Sequence, residues 1–204
     1  MLAKIKETVD FIKSKINATP EFAIILGSGL GKLKDEVEPI HVLKYSEIPN
    51  FPQTTVVGHG GELIYGLLEG QKVLMMSGRF HYYEGHDIQT VVFPVRVFHL
   101  LGIKNLIVSN ACGGVNPNFH VADMMIINDH INMMPEHPLR GKNIEEFGPR
   151  FVDMSEPYNK KMIEVAQNVA KDLGIKAHEG CYVALQGPTF ETPAEYRYFR
   201  TIGG

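Results

Sequence analysis

Apolar and polar residues alternate along the chain with two different periods, which predict helices and strands in turn. Leucine, isoleucine and valine recur at steps of three and four over residues 2–16, so this segment is predicted to be an amphipathic surface helix. A similar spacing indicates a helix over residues 158–173, and Gly174 follows as its stop. Short continuous apolar runs, typical of buried strands, occur at residues 22–26, 73–76 and 105–108, and further strands are predicted at residues 123–128 and 177–185.

The segments between these elements follow weaker patterns. Residues 88–101 are predicted to form a largely apolar helix that Pro94 kinks or begins, and residues 129–157 a long irregular loop. Further β segments and a short final helix are predicted at residues 37–45, 54–57, 62–68 and 193–201. Strands separated by helices, without a repeat or a linker, indicate one α/β domain over residues 1–204 with a mixed central β-sheet flanked by helices.

Four of the predicted strands end in segments that are rich in glycine and polar side chains. Their sequences are GSGLG from residue 27, SGRFHYYEGH from residue 77, SNACGG from residue 109 and QGPTFET from residue 186. Ligands of open α/β sheets bind outside the carboxyl ends of the strands. If the four strands share one sheet, we expect these segments to converge on one site.

The segment from Ser77 to His86 carries the densest candidate chemistry. Arg79 offers a fork of donors that suits phosphate or carboxylate, and His81 can donate to an anion or shuttle a proton. The two tyrosines at positions 82 and 83 add flat apolar faces with polar tips. Together these side chains indicate a site for a small anionic, partly cyclic ligand. An ordinary solvated polar turn stays an alternative on this segment alone.

The glycine-rich turn after the first strand is a second candidate for anion binding. Its backbone N–H groups can cradle a phosphate, and Ser28 adds a hydroxyl group. The spacing is GxGxG rather than GxGxxG, and no acidic residue ends a clear second strand about 20 residues further on. A Rossmann-type dinucleotide module is therefore disfavoured, whereas a turn that needs glycine only for steric reasons stays open.

Composition narrows the class of protein further. The 204 residues carry a formal net charge of −3, so no basic surface for nucleic acid or membrane is indicated. Cys112 and Cys181 have no disulfide or metal spacing and are expected to be reduced thiols, with Cys181 buried. No apolar run approaches the roughly 20 residues that span a bilayer, and no signal peptide is evident. We expect a cytoplasmic protein without a metal.

The motifs, taken in order, resemble the trimeric purine nucleoside phosphorylases from about Phe22 to the last residue. They are GSGLG, GHGG, SGRFHYYEGH, FPVRV, SNACGGVNP, DHIN and QGPTFETPAEYR. The related methylthioadenosine phosphorylases share the fold, but GRFHYYEG and the Phe-Glu pair are more similar to the 6-oxopurine branch. The resemblance implies a nucleoside phosphorylase-like three-layer fold and the reversible phosphorolysis of inosine, guanosine or their deoxy forms in purine salvage. The products would be a free purine and (deoxy)ribose 1-phosphate.

The resemblance also implies roles for particular residues on the phosphate side. Phosphate would be bound by Ser28, Arg79, His81, His59 and the backbone of Ala111. Glu84 matches the carboxylate behind this group. The catalytic residues would be Glu191, His81 and His59, with inorganic phosphate as co-substrate and no cofactor.

On the nucleoside side, the resemblance implies a ribose contact for Tyr83 and a second one for Phe151. Phe151 matches a phenylalanine that family members lend to a neighbouring subunit, which implies a homotrimer. The purine would be contacted by Phe190, Glu191, Ala111, Cys112 and Gly113.

The chain departs from the family pattern at its carboxyl end. It stops at Gly204, where family members continue, so a C-terminally truncated member is expected. Two alternatives remain beside an active 6-oxopurine phosphorylase. One is a catalytically impaired member that retains phosphate binding only, and the other is an enzyme similar to methylthioadenosine phosphorylase.

Overall fold

The computed structural model describes residues 1–53 and 61–204, and the described chain divides into two compact units. The first unit comprises Met1–Ala111 and Pro138–Phe147, and the second comprises Cys112–His137 and Gly148–Gly204. The single domain over residues 1–204 stays a prediction. The β segment predicted at residues 54–57 and the candidate residue His59 lie outside the described residues.

The first unit contains a five-stranded mixed sheet in the order β2-β3-β4-β1-β5. Strand β1 pairs in parallel with β4 on one side and with β5 on the other, whereas β2, β3 and β4 pair antiparallel. This confirms the mixed central sheet, with β2 at one edge. The strands are β1 Phe22–Ile25, β2 Glu38–Lys44, β3 Glu62–Leu68, β4 Gln71–Ser77 and β5 Asn105–Val108.

Both faces of this sheet bury apolar side chains, which alternate along the strands as a period of two requires. Leu63 and Leu74 belong to the larger core, and Ile64 and Val73, their neighbours in sequence, belong to the smaller one. Helix α1 (Leu2–Lys15) supplies its predicted stripe to the larger core through Ile5, Val9 and Ile12.

The helix predicted over residues 88–101 is two helices, α2 (Ile88–Val91) and α3 (Phe93–Leu101). Val92 separates them, and Pro94 lies at the start of α3, where its missing N–H leaves no hydrogen bond unmade. Four short 3₁₀ helices complete the regular structure of the described first unit, at Gly31–Glu36, Tyr45–Glu47, Tyr82–Glu84 and Glu145–Phe147.

The second unit is built on a parallel two-stranded sheet of β6 (Met124–Asn132) and β7 (Ala177–Ala184). Strand β6 runs past the predicted end at residue 128, with a bulge between Ile127 and Asp129, so the irregular loop is shorter than predicted. Helices α4 (Lys160–Asp172) and α5 (Pro193–Ile202) agree with the two predicted helices. Cys181 is half-buried rather than buried, because its strand belongs to this small sheet.

A carboxylate-centred cluster holds the beginnings of β6 and β7 together. Asp123 Oδ2 accepts from Lys176 Nζ at 2.9 Å and lies 2.7 Å from His178 Nε2. It also accepts from the backbone N–H of His120 at 3.0 Å, and the Phe119 ring stacks on the His178 ring at 4.1 Å. These contacts, the Lys176 hydrogen bond first, hold the pKa of the Asp123 carboxyl well below its ordinary value of 3.8.

Replacing Asp123 with Asn should flatten the acid dependence of folding stability. Because the folded-state pKa is depressed, ionised Asp123 stabilises the fold above the unfolded-state pKa, and this contribution is lost as the pH falls through the folded-state pKa. Urea unfolding should therefore show a steeper loss of stability below about pH 4 in the parent than in Asp123→Asn. The control is Asp172→Asn, at the end of α4. Identical pH slopes in parent and Asp123→Asn would contradict this assignment.

Candidate functional site

The sheet register places the ends of β1, β4 and β5 at one edge. Ile25 is paired with Met76 on one side and with Val108 on the other, so the three segments that follow leave the sheet at the same level. The glycine-rich segments after β1, β4 and β5 therefore follow strands of one sheet, which was the requirement for their convergence on one site. The fourth does not, because it follows β7, which belongs to the separate two-stranded sheet.

Arg79 connects the segment after β4 to the segment after β5. Its Nη1 donates to the backbone oxygen of Ser109 at 2.7 Å, and its Nε donates to His81 Nε2 at 3.0 Å. Guanidinium nitrogen atoms can only donate. His81 Nε2 must therefore accept, which assigns the ring proton of His81 to Nδ1.

Glu84 accepts a hydrogen bond from the Nδ1–H group of His81. His81 Nδ1 lies 2.7 Å from Glu84 Oε1, and the same oxygen accepts the backbone N–H of His81 at 2.9 Å. The backbone hydrogen bond belongs to a capping box around the 3₁₀ helix Tyr82–Glu84, and the side-chain contact adds to it, so local structure fixes the orientation of the imidazole. Only 3% of the Glu84 side chain and 11% of the His81 side chain are exposed, and the pair is therefore shielded from competing water.

Tyr83 covers the His81 ring. The two ring centroids are 4.7 Å apart with an interplanar angle of 20°, and Tyr83 keeps 48% of its surface exposed. An ordered aromatic face with one open side is suited to packing on a sugar or another flat apolar group.

The glycine-rich turn packs against the end of β5. The backbone N–H of Gly27 donates to Ser109 Oγ at 3.0 Å, and a Cβ atom at Gly27 would meet the Ser109 backbone oxygen at 2.4 Å. The steric reason for glycine is thus established at position 27 by the close approach of two chain segments. Ser28, next in the chain, is exposed, so its hydroxyl group is open to a ligand.

Ser109 accepts hydrogen bonds from both Arg79 and Gly27, although it was not among the predicted site residues. The only indication in the sequence was its place as the first residue after the third buried run. Its backbone oxygen accepts from Arg79 and its hydroxyl oxygen accepts from Gly27, and neither partner could be read from the sequence. Ala111, the predicted backbone contact for phosphate, is exposed two residues further on.

The remaining candidates that the structure describes lie in the second unit. Phe190 and Phe151 are 94% and 89% exposed, respectively. Glu191 is half-buried, and its Oε2 accepts from the hydroxyl group of Tyr196 at 3.2 Å. Burial raises the pKa of the Cys112 thiol, which favours the protonated form and argues against a nucleophilic role.

The second unit also contains an open cleft of about 540 Å³ that none of the predicted residues lines. Its described walls include Asp129, Glu156, Glu164 and Glu179, with Lys160 as their only basic side chain. A surface of this charge does not suit a phosphate, so the cleft gives no reason to move the candidate site.

Two kinds of feature are absent from residues 1–53 and 61–204. No helix there is both long and apolar enough to cross a membrane. Within the same ranges, no group of three or more histidine, cysteine or acidic side chains is placed to hold a metal ion.

Comparison with known proteins defines the class of enzyme to which this fold and site belong. The model of the phosphorylase superfamily matches residues 21–204. Purine nucleoside phosphorylase 1 of Geobacillus stearothermophilus is 52% identical over 200 residues, which are 98% of this chain and 73% of that protein. Purine nucleoside phosphorylase 1 of Bacillus subtilis is 51% identical over 203 residues, which are 100% of this chain and 75% of that protein.

A solved structure agrees with both relatives. The crystal structure of the purine nucleoside phosphorylase from Schistosoma mansoni in complex with acetate superposes with a TM-score of 0.94 at 44% sequence identity. The match covers 99% of this chain and 76% of that chain. The chain therefore belongs to the purine nucleoside phosphorylases of the phosphorylase superfamily. The resemblance seen in its motifs is confirmed.

Replacing Gly27 with Ala should destabilise the first unit, because the new Cβ would overlap Ser109 and its neighbour Asn110 at 2.4–2.7 Å. Overpacking of this kind costs about 1–3 kcal/mol of unfolding free energy, which chemical unfolding can measure. Gly31→Ala is the matched control, since a Cβ there meets nothing within 4 Å. Equal stabilities of the two variants would refute the close packing at Gly27.

Proposed function

We propose that this chain catalyses the reversible phosphorolysis of 6-oxopurine (deoxy)ribonucleosides such as inosine and guanosine. The products are the free purine base and (deoxy)ribose 1-phosphate. The observation that carries the proposal is the chain of contacts Arg79–His81–Glu84 at the carboxyl ends of parallel strands, in a member of this family. The enzyme is then a pentosyltransferase of purine salvage that acts in the cytoplasm.

Phosphate is the ligand proposed for the first unit. Arg79 supplies charge and donors, Ser28 supplies an exposed hydroxyl group, and Ala111 supplies backbone. His59 is proposed as a further contact with phosphate and as a catalytic group, although it lies outside the described residues. Phosphate is a co-substrate in this scheme, and the proposed chemistry uses no cofactor and no metal.

His81 is proposed to exchange a proton with the phosphate. Its Nε2 carries the lone pair that accepts from Arg79 Nε. When Arg79 Nε transfers its hydrogen bond to the incoming phosphate, this lone pair is released and can take a proton from a protonated phosphate oxygen. The imidazolium that results would be stabilised by Glu84 at 2.7 Å. The proton moves from phosphate oxygen to Nε2, which leaves a more highly charged and more nucleophilic phosphate.

The chemistry of glycosidic cleavage requires such a phosphate. As the bond between ribose and base stretches, positive charge grows on the sugar and negative charge on the departing purine. A fixed anion beside the sugar stabilises that positive charge and then attacks the anomeric carbon. Electrostatic preorganisation of this kind often contributes more to the rate enhancement of an enzyme than any other single effect.

The base and the sugar are assigned to other side chains. Glu191 is proposed to accept the N1–H of a 6-oxopurine, Phe190 to pack on the ring, and Cys112 and Gly113 with Ala111 to line the base. Adenine has no N1–H, so a carboxylate built to accept one would be left unpaired by adenosine. Tyr83 is proposed as a ribose contact.

A homotrimer is proposed as the assembly. Phe151 is 89% exposed, which leaves nearly the whole ring open to a neighbouring subunit's ribose. The role of Phe151 rests on the family resemblance, and a measurement of the mass in solution tests the homotrimer.

Replacing Arg79 with Ala should weaken phosphate binding by at least about tenfold, because charge-assisted hydrogen bonds contribute about 1.5–3 kcal/mol each. The measurement is phosphate-dependent release of hypoxanthine from inosine, together with equilibrium binding of inorganic phosphate. Arg140→Ala, at an exposed position, is the matched control. An unchanged phosphate dependence would remove Arg79 from the site. Phosphate binding by the parent chain without any turnover would instead favour the catalytically impaired alternative.

Replacing Glu191 with Ala should reduce kcat/KM for inosine and guanosine by about 100-fold while phosphate affinity stays near that of the parent. The reason is that a base held without its acceptor is misoriented for departure. Glu164→Ala, an exposed acidic position on α4, serves as the control. Unchanged cleavage of both nucleosides would refute the role of Glu191, and efficient cleavage of methylthioadenosine by the parent would favour the other branch of the family.

A further inference from the structure

Glu191 is held at the entrance to α5 by a capping box. Thr192 is the N-cap, and its hydroxyl oxygen accepts the backbone N–H of Glu195 at 3.3 Å. In return the Glu195 side chain accepts the backbone N–H of Thr192 at 2.6 Å, and Pro193 occupies the first helical position. This combination fixes the direction in which the chain enters the helix. Glu191, the residue before the N-cap, is therefore carried by a rigid local structure.

The same geometry brings Glu191 over the first turn of the helix. The residue before the N-cap and the fourth helical residue are commonly in contact, usually as an apolar pair. Here the pair is polar, because the fourth helical residue is Tyr196 and its hydroxyl group donates to Glu191 Oε2 at 3.2 Å. Among the described residues, no hydrogen bond to Glu191 Oε1 is present. One carboxylate oxygen is thus anchored, and the other is open to a ligand.

Gly113 allows Tyr196 to take this position. A Cβ atom at residue 113 would lie 2.6 Å from the Tyr196 hydroxyl oxygen and 3.5 Å from the nearest ring carbons. A side chain there would push the phenol away from Glu191. The absence of a side chain at Gly113 thus leaves a space that the Tyr196 hydroxyl group fills.

The protonation state of Tyr196 agrees with a donor role. Burial raises the pKa of the Tyr196 phenol, and the hydrogen bond to Glu191 raises it further. The phenol therefore keeps its proton at any pH at which the enzyme would work, and the hydrogen bond points in one direction only.

We infer that Tyr196 is a positioning residue for recognition of the base, which fixes Glu191 so that a single carboxylate oxygen faces the ligand. This inference deepens the proposed function and rests on it. A carboxylate that presents one oriented acceptor suits one N–H donor of a purine ring. A freely rotating carboxylate would lose orientation, and with it part of the preference for bases that carry the donor.

The variant that tests this is Tyr196→Phe, which removes only the hydroxyl group. We expect kcat/KM for inosine to fall about tenfold, from the loss of one hydrogen bond to a charged group, with the KM for phosphate unchanged. Tyr198→Phe, on the same helix with 52% of its surface exposed, is the matched control and should behave as the parent does. In a Glu191→Ala background, Tyr196→Phe should have no further effect, since the carboxylate it positions is gone.

A second measurement does not depend on turnover. The difference in tyrosine absorbance between the parent and Tyr196→Phe isolates the titration of this one phenol, and Glu191→Gln should lower its pKa. A Tyr196 pKa that is indifferent to Glu191→Gln would overturn the inference, because the hydrogen bond would not exist in solution. Gly113→Ala should also lower the Tyr196 pKa, because the added methyl group would push the phenol away from Glu191.

The outcomes separate the two proposals. If the parent cleaves inosine and Tyr196→Phe cleaves it equally well, the inference is wrong and the proposed function stands. Equal losses in inosine and phosphate parameters would show a structural role only, which also overturns it. If the parent neither cleaves inosine nor binds hypoxanthine, the proposed function fails and the base-positioning role fails with it. The phenol titration would then still show whether the pair itself forms.

Discussion

The parallel pairing of β1 with β4 and with β5 is the constraint on which the candidate phosphate site depends. The pairing sets Ile25 level with Met76 and Val108, so three loops leave the sheet together. Only in that register can Gly27 reach Ser109 and Arg79 reach the carbonyl oxygen of the same residue. A slip of one residue would turn every side chain to the opposite face and would also separate these groups. The apolar alternation that buries both faces of the sheet therefore also fixes the geometry of the polar side chains at its edge.

The two units use local backbone structure in the same way. In the first, a capping box around Tyr82–Glu84 orients His81, and in the second a capping box at Thr192 orients Glu191. Each of these two side chains is therefore held within a few residues by its own segment of chain. A site residue supported in this way depends little on distant packing, so its orientation is specified by a short sequence.

Much of the fold could be predicted from hydrophobic periodicity, because that periodicity is the direct cause of burial. The stripe of α1, the buried runs of β1, β4 and β5 and the helices α4 and α5 follow from it. The break at Val92 and the extension of β6 to Asn132 could not be predicted, since both depend on how neighbouring segments pair. The separate sheet of β6 and β7 was hidden for the same reason. The convergence of the segment after β7 with the other three stays a prediction. The candidate site was predictable in its side-chain chemistry and not in its connections. Arg79, His81 and Glu84 are conspicuous in one short segment, whereas Ser109 accepts from Arg79 through a carbonyl oxygen that every residue has and from Gly27 through its hydroxyl oxygen. Tyr196 was overlooked because an aromatic residue on an amphipathic helix is ordinarily a packing residue.

Two hydrogen bonds hold the Arg79 side chain in place before any anion binds. An arginine side chain carries about 2 kcal/mol of rotamer entropy when it is free. With Nη1 on Ser109 and Nε on His81, most of that freedom is already lost when the protein folds. The entropic cost of binding would then come mainly from the translational and rotational freedom that the anion itself loses. The guanidinium group is thus a rigid, preformed contact for an anion and not a flexible side chain that closes around its ligand.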